Sequence, residues 1–75
     1  MTDPHTETES NFRVTVKLLG SGWAAVVLCD VTRSDTGEVY TDVFSTGDGR
    51  FHLKESAIME ARQIAEDEGI PYIPA

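Results

Sequence analysis

The sequence predicts a small α+β domain, a three-stranded antiparallel β-meander with one C-terminal α-helix packed on one face (β-β-β-α). Three observations carry this. From Phe12 onward apolar and polar residues alternate strictly, the signature of a half-buried strand. Two short Gly-containing segments, Gly20-Ser21-Gly22 and Ser34-Asp35-Thr36-Gly37, separate three such runs, and connections this short make neighbouring strands antiparallel. Beyond a loop at 46–50 the apolar spacing lengthens to that of a helix.

Residues 1–10, MTDPHTETES, lack periodicity and large apolar groups other than Met1. Such a segment buries too little surface to offset its ordering entropy, so a flexible acidic tail is expected. The single domain is then 11–75. The first strand, about 12–19, places Phe12, Val14, Val16 and Leu18 on one face. The second, about 23–32, is apolar on both parities: Trp23, Ala25, Val27, Cys29 and Val31 on one, Ala24, Val26 and Leu28 on the other. Two apolar faces suit a central strand.

Ser34 to Gly37 reads as a type I turn with Gly in the left-handed position. The third strand follows, about 38–45. A bulged turn puts Tyr40 and Phe44 opposite Val31 and Val27, facing the same core as Trp23. Val26, Leu28, Val39 and Val43 then lie on the reverse face, an assignment that a one-residue slip would invert. Thr46 to Arg50 is a loop by composition. A helix over about 54–68 gathers Leu53, Ala57, Ile58, Ala61, Ile64 and Ala65 into one stripe. Gly69 followed by Ile70-Pro71 stops it. Glu66, Asp67 and Glu68 crowd its C-terminal end, where the helix dipole disfavours anions by about 0.3–1 kcal/mol each at low salt. The extension 70–75 is too rich in proline for a regular element, yet Ile70, Tyr72 and Ile73 give it reason to dock.

Composition narrows the function classes. At 75 residues, 40% hydrophobic and 25% charged, the chain matches a globular domain rather than a fibrous or wholly disordered one. No apolar run approaches the ~18 residues of a membrane span. The first residues lack a basic and apolar leader, and the sole cysteine, Cys29, excludes an internal disulfide. A cytoplasmic home is therefore expected, and the compact acidic form suits a bacterial or a phage gene. Thirteen acids against six bases give a net charge of −7. This repels phosphate backbones and anionic lipid at long range.

No catalytic, cofactor or metal site is evident. His5, His52 and Cys29 lack the paired spacing of zinc ligands. Asp30 and Asp42 fall on opposite faces in the expected register, which forbids a shared acid–base site. The Ser45-Thr46-Gly47-Asp48-Gly49-Arg50 loop lacks the Gly-Lys-Ser/Thr of a phosphate-binding loop, and Asp48 would repel the ligand. No enzyme activity is expected.

Gly22-Trp23-Ala24-Ala25-Val26, then Phe44-Ser45-Thr46 and Glu60-Ala61 in the helix, resemble the plant ethylene-response and phage integrase arm-binding domains over residues 12–68. That resemblance implies a sheet face laid in the DNA major groove. Here the face would present Arg13 and Lys17, but Val26, Leu28, Val39 and Val43 stand where polar base-readers are needed. The sign of the net charge also argues against nucleic acid.

The expected role is a non-catalytic interaction module. It would bind itself, as a homodimer, or another protein through the uncovered face of Val26, Leu28, Val39 and Val43, because monomers seldom expose large contiguous apolar patches. The alternative is an acidic regulator or nucleic-acid mimic that meets a basic protein surface with Glu55, Glu60, Glu66 and Asp67. Trp23 is expected mostly buried, its ring against the helix near Ala57, Ala61 or Ile64.

Overall fold

A computed structural model describes residues 6–75. The strands are β1 (Glu7–Leu19), β2 (Gly22–Arg33) and β3 (Val39–Thr46), followed by helix α1 (Lys54–Glu68). They form one antiparallel sheet in the order β1-β2-β3, so the fold is the expected β-β-β-α meander. The sheet is long relative to the helix, and the molecule is elongated, 48 × 27 × 20 Å.

β1 begins at Glu7, earlier than the alternation from Phe12 indicates. Glu7, Thr8, Glu9 and Ser10, assigned by composition to the tail, pair with Arg33, Thr32, Val31 and Asp30. The expectation of a flexible tail for residues 1–5 lies outside the described residues. What orders 7–10 is backbone pairing against a strand already in place, supplemented by Thr6–Ser34 hydrogen bonds at the hairpin end. Hydrophobic periodicity carries no trace of such pairing. A bulge at Asn11 and Phe12 joins the two halves of β1. Asn11 has φ 55°, a left-handed conformation that asparagine tolerates better than most residues.

The hairpin turns differ in what their glycines do. At the second, Gly37 has φ 75° and its N–H donates to the Arg33 carbonyl at 2.8 Å, while Arg33 N–H donates to Glu38 at 2.9 Å. This is the expected turn with a left-handed Gly. At the first, Gly22 has φ 132°, and a Cβ there would lie 2.9 Å from the Phe51 carbonyl oxygen. Gly22 is needed for close approach of the 47–52 loop, where Trp23 and Phe51 exchange two backbone bonds of 2.8 Å.

Val14, Val16, Ala25, Val27, Ala57 and Ala61 form the buried core. Ala57 and Ala61 are both fully buried, so α1 settles close on the sheet. Gly69, at φ 67°, caps the helix in the left-handed conformation, and Ile70 N–H donates to Ala65 at 3.0 Å. Trp23 packs on the core but is only half-buried, with the Lys54 ammonium 5.4 Å from its ring centre. The expected burial under Ala57, Ala61 or Ile64 is thus partial. Trp23 sits near the N-terminal end of α1, with the Lys54 ammonium over its ring.

The C-terminal extension lies along the outer edge of β1. Val14 N–H donates to the Pro71 carbonyl at 2.9 Å, and Ile73 N–H donates to the Val14 carbonyl at 2.8 Å. This makes Val14 and Tyr72 a parallel bridge. Ile70 and Tyr72 pack against the core. The extension therefore pairs with the outer edge of β1 at Val14.

Candidate functional site

α1 rests on β1 and β2 and does not reach β3. A helix is about 10 Å across and strands are about 4.8 Å apart, so one helix covers two strands. All eight residues of β3 are consequently exposed. Tyr40 and Phe44 do point to the helix side, since Tyr40 pairs with Val31 and Phe44 meets Phe12 edge-on at 5.0 Å. They remain 43% and 54% exposed, flanking the core instead of joining it. Val27 pairs with Ser45 rather than Phe44, because a bulge between Val27 and Leu28 leaves Phe44 as the extra residue.

The register fixes which backbone groups β3 turns outward. Arg33 with Glu38 and Ala25 with Gly47 are bonded positions. By antiparallel alternation Tyr40 and Asp42 bond toward β2, while Val39, Thr41 and Val43 turn their N–H and C=O away from it. Val43 N–H has a local partner instead, donating to its neighbour Asp42 Oδ1 at 2.9 Å. No described residue pairs with the outward groups of Val39 and Thr41.

The reverse face carries the four residues singled out in sequence, but unequally. Val39 is 62% and Val43 45% exposed, Leu28 is half-buried, and Val26 is buried at 1%. Val26 lies between Thr15 and Thr46 in the register and contributes little accessible surface. Between the valines sits a polar cluster that sequence reasoning did not identify. Arg13 pairs with Asp30 at 2.9 Å. Asn11 Nδ2 and Thr41 Oγ1 donate to the same carboxylate at 3.0 and 3.1 Å. The Asn11 and Arg13 hydrogen bonds, opposed by desolvation, hold the Asp30 carboxyl below its usual range. Only three-dimensional register unites Asn11, Arg13, Asp30 and Thr41. Asp42 lies on the other face, beside Cys29.

The acidic residues proposed for α1 do not form one surface. Glu55, Glu66 and Asp67 are exposed, and Asp67 accepts a bond from Gln63 at 2.9 Å. Glu60 turns into the 47–52 loop, where a Cβ on Gly47 would collide with its carboxylate. Its Oε1 is buried without a hydrogen-bond partner among the described residues. Arg50 braces that loop by donating to the Gly47 and Gly49 carbonyls at 2.8 and 3.0 Å and to Ser21 Oγ at 3.1 Å.

Between α1 and the end of β3 lies an open groove of about 430 Å³. It is lined chiefly by Phe12, Val27, Phe44, Ile64 and Ile70, with Glu68 on its rim. It holds one carboxylate and no second ionisable group, so it offers apolar contact rather than an acid–base pair. Burial, with the nearby Glu9, Asp42 and Asp30 carboxylates, pushes the Cys29 thiol up. That is the opposite of what activates a nucleophilic cysteine. Among the described residues no group of three or more His, Cys, Asp or Glu is placed to hold a metal ion. No helix is long and apolar enough to cross a membrane. No family model, no curated protein and no solved structure matches the chain.

Proposed function

We propose that this chain is a non-catalytic protein-interaction module whose binding element is β3, used through its open edge and the adjoining Val39 and Val43. The carrying observation is the exposure of every β3 residue along an edge where the outward backbone groups of Val39 and Thr41 have no partner among the described residues. Unpaired edges pair readily with an added strand, and small proteins usually blunt or cover them. β3 retains one such device, the Asp42 bond to Val43 N–H. The reading keeps the expected uncovered face but shifts its weight from Val26 and Leu28 to Val39, Val43 and the β3 backbone.

Affinity capture from host lysate with wild-type chain and with the Val39→Lys, Val43→Lys double variant tests this reading. A bound protein, whether another species or untagged copies of the chain, is retained by wild type and lost with the variant. Identical capture by both would overturn it. Repeating the capture at high salt addresses the acidic-mimic alternative. A β3 partner is retained, whereas a basic partner held by Glu55, Glu66 and Asp67 is released.

A further inference from the structure

We infer that the occupant of the β3 edge is a second copy of this chain, its β3 running antiparallel about a two-fold axis at Thr41. The inference rests on reading β3 as the binding edge and names the partner that this edge fits.

The argument is one of register. In an antiparallel pair, outward-turned residues must face one another, so Val39, Thr41 and Val43 can meet only residues of that set. Centring on Thr41 pairs Thr41 with its own equivalent and Val39 with Val43 of the other copy, twice by symmetry. Tyr40 then faces Asp42. The neighbouring symmetric choices are worse. Centring on Asp42 sets the carboxylates of two Asp42 residues opposite each other, and centring on Tyr40 sets Glu38 against Asp42. Like charges directly opposed destabilise a sheet. Centring on Val43 runs the pairing into the bulge at Phe44, where the strand bends. The Val-x-Thr-x-Val pattern at 39–43 is therefore self-complementary in one register.

That register also extends the uncovered face. Leu28 pairs with Val43 within one chain, and Val43 would meet Val39 of the next, so the apolar row crosses the junction. The Arg13–Asp30–Thr41 clusters of the two copies flank the axis. A strand pairing this short falls below the ~1,200 Å² of a stable specific interface, so the dimer is weak and concentration-dependent. Two chains of charge −7 repel each other, so added salt strengthens the pairing. Asp42 competes for Val43 N–H, so Asp42→Ala tightens it.

Cross-linking tests the register. Directly opposed bonded residues have Cα atoms about 5.5 Å apart, within disulfide range. Under mild oxidation Thr41→Cys gives a covalent dimer at least about tenfold faster than Tyr40→Cys or Asp42→Cys. Cys29, 1% exposed, stays reduced. Val39→Cys and Val43→Cys chains cross-link when mixed and not when separate, which guards against a misfolded single variant. Fastest cross-linking at Asp42 or Tyr40 overturns the register. A sedimenting monomer from about 10 µM to about 1 mM at high salt overturns the second copy. In that event capture of a different protein through Val39 and Val43 would still uphold the interaction module.

Discussion

Along β1, the outward N–H and C=O of Val14 are taken by Pro71 and Ile73; along β3, those of Val39 and Thr41 meet no described residue. The difference follows from where the helix lies. α1 packs over β1 and β2, and Gly69 releases the chain beside β1. Residues 71–73 lie along that edge. β1 is thus paired at Val14 by residues 70–75, and the β3 edge is left to the proposed partner strand. The teaching is that an edge strand's fate depends on how far the covering layer reaches as much as on the strand's own side chains.

Removing the closing segment should have the largest effect. Deleting 70–75 removes three backbone hydrogen bonds and the packing of Ile70 and Tyr72, a loss of roughly 3–5 kcal/mol. That approaches the whole stability of a small domain. Chemical denaturation should show most of the cooperative transition gone. A truncated chain within about 1 kcal/mol of the full one would mean that β1 needs no cover.

Trp23→Ala ranks next. A fully buried indole would cost about 3–5 kcal/mol, but Trp23 is half-buried under Lys54, so about 2 kcal/mol is expected. A shift of the denaturation midpoint measures it, and a loss at the upper figure would return Trp23 to the centre of the core.

Asp30 links the two edges, since its carboxylate bonds to Arg13 on β1 and Thr41 on β3. Its folded pKa lies below the usual 3.8. Its contribution to stability is therefore present above that value and lost as pH falls through the folded pKa. Thermal melts from pH 6 down to about pH 2 should show a steeper acid decline in wild type than in Asp30→Asn. Parallel declines would remove Asp30 from the account.

The smallest effect belongs to the open edge. Val39→Lys with Val43→Lys should change monomer stability by no more than about 0.5 kcal/mol, because both side chains are largely exposed. A large loss would show β3 to be part of the core after all.

How much of this was readable in advance varies along the chain. The β2–β3 turn and the helix stop at Gly69 follow from local chemistry and were legible. So was the opposition of Asp30 and Asp42, because parity survives the turn at Gly37. The pairing of Glu7 to Ser10 was not, since it depends on backbone bonds that leave no hydrophobic pattern. The bulges at Asn11 and Phe44 shift register without a unique sequence mark. The reach of the helix is a matter of widths, so Tyr40 and Phe44 read as core when they are its exposed border. Residues 70–75 were legible as a docking segment, but not their destination.

Residue-resolved amide hydrogen exchange at low and high protein concentration tests the central claim most directly, with Val14, Val39 and Thr41 as reporters. In dilute solution the Val14 amide, bonded to Pro71, should be protected while Val39 and Thr41 exchange freely. At high concentration Val39 and Thr41 should gain protection with Val14 unchanged. Protection of Val39 and Thr41 in the dilute monomer, or none at any concentration, would contradict an open edge that awaits a second copy.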